Sequence, residues 1–227
     1  MTAKSKKQNP TKGSKNAAAA PKRKFPVVGV VFSGVALLLI AAIVLSPDET
    51  IGGGGEYGEP NVTGEAVPLQ ASSGASVADD PAFGVLAPEM SGVDFDDSAV
   101  SIAHDGTPKA IVFLAHWCPH CQAEVPRVQA WLDATGGVEG VEVMAVSTSA
   151  SSGQNNWPPS DWLDRENWSV PTIRDNAESD ALQAFGGSAF PYWIFLNGDG
   201  TVAFRQSGQT EIATLQSIME TLAATQP

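Results

Sequence analysis

The stretch KAIVFLAHWCPHCQAEVPRV, residues 109–128, changes its hydrophobic period halfway along. Residues 109–117 are a short, continuous apolar run rich in β-formers, which reads as a buried strand. From Cys118 onward Val125, Val128, Trp131 and Leu132 recur every three or four residues, as on one face of a helix, and Gly136–Gly137 stops it. A buried strand feeding straight into a helix restricts the chain to architectures in which helices cover a sheet. Both cysteines of the chain, Cys118 and Cys121, fall at the hand-over, and reactive groups in such folds gather at the carboxyl ends of strands.

The later elements continue the alternation. VEVMAVS (141–147) predicts a second strand. A Ser/Gly/Asn stretch and a Trp-containing segment follow, and SVPTIRD (169–175) is a short extended piece. AESDALQAF (177–185) reads as a helix ended by Gly186–Gly187, and PYWIFLNGDGTVAFRQ (191–206) as two strands around a Gly-containing turn. TEIATLQSIMETLAA (210–224) is a helix with Ile212, Leu215, Ile218 and Leu222 on one face and Thr210 as its expected cap. The expected fold class is therefore α/β, a central mixed sheet with helices on both faces.

Two cysteines three residues apart admit several chemistries. A helix N-terminus offers unpaired N–H groups and the positive end of the macrodipole, which favour a thiolate, the form that attacks disulfides. Pro119 suits the first helical turn, where a missing N–H costs nothing. Cys121 lies one turn later, placed to resolve a mixed disulfide formed at Cys118. His120, between them, can add a positive charge or a hydrogen bond. A structural staple would close a very short loop and stabilise little. Zinc would need two further ligands, and His116 and His120 are too tightly clustered to surround one ion with the cysteines. Redox exchange is the favoured reading.

The N-terminal part sets the expected compartment. Residues 1–24 hold eight Lys and Arg and no acid, a disordered cationic tail. Residues 27–45 form nineteen uncharged positions, enough for a helix of roughly 28 Å against a hydrocarbon core of about 30 Å. No Lys or Arg occurs from residue 46 to 108, so the positive-inside rule puts the tail in the cytoplasm and the rest outside it. A cleaved signal peptide competes, but its apolar region is shorter and ends in a small-x-small site. The expected organisation is a tail over 1–24, a membrane anchor over 25–45, a flexible acidic, Gly-rich linker over 46–82 and a folded domain over 83–227. The exported part has 25 acidic and five basic side chains, a net charge of −20, which argues against binding nucleic acid.

Residues 83–224 resemble the thioredoxin-fold proteins of the membrane-anchored TlpA/ResA type. FLAHWCPHCQAEVP matches the family's hydrophobic strand, W-C-x-x-C, then Glu and Pro; VPTIRD resembles its extended segment before a helix. AFPYWIFLNGDGTV resembles its cis-proline stretch. The resemblance implies that Cys118 attacks and Cys121 resolves. It makes Glu124 the helix acid beside the active site, Pro126 a helix-kinking proline and Pro191 the cis-proline facing the cysteines. Trp117, Pro119, His120 and Phe190 complete the site. Phe190 stands where the family more often has Thr or Val, His116 where a small or polar residue is usual, and Pro119–His120 is the dipeptide of the oxidant DsbA. Val112 replaces the buried acid that thioredoxin itself carries, leaving Glu124 as the proton-transfer candidate or, alternatively, a solvated surface acid.

The expected function is extracytoplasmic, membrane-anchored exchange of dithiol and disulfide with exported proteins, with reduction favoured. The redox group is the Cys118–Cys121 pair itself, with no metal or organic cofactor, and a membrane redox partner would recycle it. The alternatives are a DsbA-like thiol oxidase, a copper- or zinc-binding chaperone using the cysteines and a His, and a docking domain with a permanent disulfide. Trp157, Trp162 and Trp168 form either a substrate-docking wall or a loop's own small core.

Overall fold

The buried run at 109–117 forms the central strand of a five-stranded mixed sheet. The computed structural model describes residues 55–70 and 79–225. The expected basic tail and membrane anchor lie outside the described residues. No helix among those described is long and apolar enough to cross a membrane. In chain order the strands are β1 (Asn61–Thr63), β2 (Glu89–Val93), β3 (Ala99–Ile102), β4 (Lys109–Leu114), β5 (Glu142–Ser147), β6 (Thr172–Arg174), β7 (Tyr192–Leu196) and β8 (Val202–Ser207). The helices are α1 (Pro119–Thr135), α2 (Pro159–Arg165), α3 (Asp180–Ala184) and α4 (Ile212–Ala224).

The main sheet has the order β6-β5-β4-β7-β8, with β4, β5 and β6 parallel and β7 and β8 antiparallel to their neighbours. Every residue of β4 is buried, because both faces of the sheet are covered. Ala110, Val112 and Leu114 point to a core shared with α1, α2 and α4, through Val125, Val128, Trp162, Leu215 and Met219. Ile111 and Phe113 point to the opposite core, with Ile173, Phe185, Tyr192 and Ile194. The period-2 alternation of a strand thus feeds two cores from one apolar run. Gly136 ends α1 in the left-handed region at φ 75°, its N–H bonded to the Leu132 carbonyl at 2.7 Å.

Three features differ from the sequence reading. Residues 55–70, expected within a flexible linker, are part of the folded domain. β1 pairs with β2, and β2 with β3, in a second, antiparallel sheet, and Val67 is in the core. The Gly58 N–H bonds the Asp175 carbonyl at 3.0 Å, and a Cβ on Gly58 would collide with the Arg174 carbonyl oxygen. The glycine there permits close backbone approach rather than flexibility. Second, the segment 159–165 is the helix α2. Trp162 is buried in the α1 core and Trp168 packs against that core, while Trp157 packs against His116, so the three indoles do not form one wall. Third, Thr210 does not cap α4: Glu211 is the N-cap residue, and the Thr210 N–H donates to Glu124 instead.

The packing of residues 55–70 and 79–82 has an energetic consequence. Arg205 is buried and pairs with Asp80 through both its Nε and a terminal nitrogen, and Arg174 is bonded to the Gly55 carbonyl and to Asp97. A fragment beginning at Phe83 strands the Arg205 charge in a low-dielectric site, at a cost of roughly 3–5 kcal/mol. Urea unfolding of residues 83–227 against 52–227 is expected to show a loss of at least about 3 kcal/mol. Equal stability would mean that the arm contributes nothing.

Candidate active site

Cys118 is the N-cap residue of α1, with Pro119 opening the helix and no side-chain cap. Both cysteines are free thiols, and their environments differ. Cys118 retains 7 % exposure and Cys121 none, so only Cys118 is open to an incoming sulfur. The Cys118 Sγ lies 3.8 Å from the Phe190 carbonyl oxygen, within range of an S–H···O contact. The Phe190–Pro191 peptide is cis, which is the isomer the resemblance implies. Burial pushes the Cys121 thiol far above its ordinary range, and the Cys118 sulfur and the Glu124 charge add to the shift.

Glu124 is one turn beyond Cys121 and only 1 % exposed, so it is not a solvated surface acid. One carboxylate oxygen accepts the Trp193 Nε1–H at 2.9 Å and the other accepts the Thr210 N–H at 2.9 Å. Burial raises its pKa above the usual carboxylate range, and these two donors oppose the shift. Trp193 pairs across the sheet with Val112; where thioredoxin itself carries an acid on the strand, this chain has the acid on the helix.

Trp117 forms the rim. Its Nε1–H donates to the Ser149 carbonyl at 2.8 Å and its ring meets Phe190 edge-on, with centroids 5.8 Å apart. His120 is exposed and makes no hydrogen bond to Cys118, so any effect on the sulfur acts through space. His116, two residues before Cys118, is 1 % exposed. Both of its ring nitrogens bond loop backbone, Nδ1 to the Asn155 carbonyl at 2.8 Å and Nε2 to the Ser151 N–H at 3.1 Å. Since Ser151 can only donate and the Asn155 oxygen only accept, the ring is the neutral Nδ1–H tautomer. Burial holds its pKa below the usual histidine value. The sequence reading set His116 aside as a metal ligand and did not foresee this bonding, because the partners lie 35 and 39 residues away.

Among the described residues no group of three or more His, Cys, Asp or Glu is placed to hold a metal ion, and the His116 nitrogens are already engaged. A groove of about 1240 Å³ between β7, β8 and α4, lined by Phe195, Phe204, Ile218 and Leu222 among others, contains none of the candidate site residues.

Residues 82–222 match the Redoxin family. The chain belongs to it. A Redoxin chain with a free dithiol at this strand–helix junction is a thiol-disulfide oxidoreductase. Among solved structures, the thioredoxin domain of a thiol-disulfide oxidoreductase from Bacteroides vulgatus is 19 % identical with a TM-score of 0.50. That match covers 63 % of this chain and 98 % of the other. A thiol:disulfide interchange protein from Bacteroides sp. is also 19 % identical with a TM-score of 0.50, covering 63 % and 91 %. These likenesses show the thioredoxin-like fold. No curated protein matches this sequence.

Proposed function

We propose that this oxidoreductase is a membrane-anchored, extracytoplasmic protein of the TlpA/ResA type that reduces disulfides in exported proteins through Cys118 and Cys121. The observation that carries the exchange chemistry is the unequal dithiol, one sulfur at the rim beside cis-Pro191 and the other sealed behind it. In the proposed cycle the Cys118 thiolate attacks one sulfur of a substrate disulfide. That S–S bond breaks, and the departing substrate sulfur takes a proton from solvent. Cys121 passes its proton to Glu124 and attacks the Cys118 sulfur. The mixed disulfide breaks, the second substrate sulfur leaves as a thiolate and takes the proton back from Glu124, and two electrons have moved to the substrate. The Cys118–Cys121 disulfide is then reduced by a membrane dithiol donor. No metal or organic cofactor takes part. Phe190 and Trp117 line the substrate groove, and Pro119 and His120 tune the couple.

Support for the anchor is the uncharged run at 27–45 behind a basic tail. Support for reduction is the family resemblance along the whole domain; the Pro119–His120 dipeptide favours the opposite direction. The test is the potential of the Cys118–Cys121 couple in residues 52–227. A reductase is expected near or below the roughly −270 mV of thioredoxin, whereas a value near the −120 mV of DsbA makes the protein a thiol oxidase. A reporter active only in the cytoplasm should work when fused before residue 25 and be silent after residue 60. An N-terminus matured near residue 46 would refute the anchor.

A further inference from the structure

We propose that His116 is a positioning residue that holds the 149–157 loop as the second wall of the groove in which Cys118 meets a protein substrate. The inference rests on the exchange reading and goes beyond it by assigning a substrate wall to a segment outside the cysteine helix and the cis-proline turn.

The groove is defined from Cys118 outward. One wall is the Phe190–Pro191 turn, whose carbonyl faces the Cys118 sulfur. The Trp117 indole touches this wall through Phe190 and reaches the other side through its bond to the Ser149 carbonyl. The 149–157 loop therefore lies across one indole from the cis-proline. It has no strand or helix of its own, and its two ends are sharply turned, with Ser149 at φ 50° and Asn156 at φ 59°. That is a sparsely populated conformation for residues with a side chain, held only where the surroundings impose it.

His116 imposes it. Its ring ties Ser151 and Asn155, four residues apart in the loop, to the end of the strand that delivers Cys118. Its carbonyl takes the Gln122 side-chain N–H from α1 at 2.9 Å, and the Trp157 ring packs edge-on against its imidazole. The N-terminal arm closes the assembly from outside. The Tyr57 ring lies 6.1 Å from Trp157 and its hydroxyl donates to the Ala150 carbonyl at 3.0 Å. Glu56 accepts the N–H and hydroxyl of Ser160 at 3.0 and 2.7 Å.

The composition of the wall indicates what it receives. Residues 149–157 carry no charge, although the chain beyond residue 46 has a net charge of −20. Between the aromatic rim and this neutral wall, the groove fits an extended, uncharged polypeptide segment bearing its cysteine. A small dithiol needs only the Cys118 sulfur.

That contrast is the test. His116→Phe keeps the ring and its packing on Trp157 but loses both bonds to the loop. In the full-length protein it should raise the KM for insulin, used as a protein disulfide, about tenfold, with kcat, the rate of exchange with dithiothreitol and the couple's potential within about twofold or unshifted. His116→Asn places an amide N–H near the Nδ1 position, keeps the Asn155 bond and should recover most of the KM. Tyr57→Phe removes only the bond to Ala150 and should raise the same KM about two- to threefold. An unchanged insulin KM in His116→Phe overturns the proposal, as does an equal loss with dithiothreitol or a shifted potential. If His116→Phe does not fold, an unchanged KM in Tyr57→Phe overturns it. Wild-type protein that exchanges with neither reagent overturns the exchange reading and this proposal with it.

Discussion

Cys118→Ser is expected to abolish exchange, lowering the rate of protein disulfide reduction by at least about three orders of magnitude, since the other thiol, Cys121, is fully buried. Cys121→Ser should behave differently. Cys118 still attacks, but the buried position that would release the product has no nucleophile, so mixed disulfides with substrate proteins accumulate. Non-reducing gels of the two variants, with and without a reductant chase, distinguish them. The asymmetry follows from exposure, 7 % at Cys118 and none at Cys121. Trapping through Cys121 in the Cys118→Ser variant would reverse the assignment.

Replacing Glu124 should give the second-largest effect. Cys121 is buried and its thiol is held far above the ordinary range by desolvation, so it cannot supply a thiolate at neutral pH without a local base. A positioned general base contributes roughly 10²- to 10⁴-fold, and Glu124→Gln is expected to slow resolution of the mixed disulfide by at least about 10²-fold while leaving its formation nearly intact. Rapid-quench kinetics separates the two steps. The pH dependence has a definite sign. Burial raises the Glu124 pKa, so resolution should increase as pH rises through that value, and Glu124→Gln should lack the inflection. Stability runs the other way. A carboxyl with a raised folded-state pKa contributes stability that is complete below its ordinary value of about 4.3 and is lost as pH rises through the folded value. Denaturation of the wild type should show that loss, and Glu124→Gln should show less of it. Equal resolution rates in the two proteins would leave Glu124 with a structural role.

The local sequence determined what local physics controls. The change from continuous apolar residues to a 3.6 period placed β4, α1 and the cysteines between them, because burial on both sheet faces and on one helix face leaves a periodic record. The β7–β8 hairpin and the Gly136 stop were legible for the same reason. Pro191 was legible only through resemblance, since nothing in its neighbours' chemistry specifies a cis bond.

Tertiary structure decided the rest. Residues 55–70 read as a linker because Gly, Pro and acids dominate them, yet Gly58 is there to let one backbone approach another. β1, β2 and β3 are three to five residues long with mixed burial, too short for a period to register. The environment of Glu124 is set by Trp193 and Thr210, 69 and 86 residues away, and that of His116 by a loop 35 to 39 residues on. The charge state of a side chain depends on what surrounds it in space. A sequence can therefore name these residues, whereas only the folded chain decides that one is a buried acid and the other a neutral clasp.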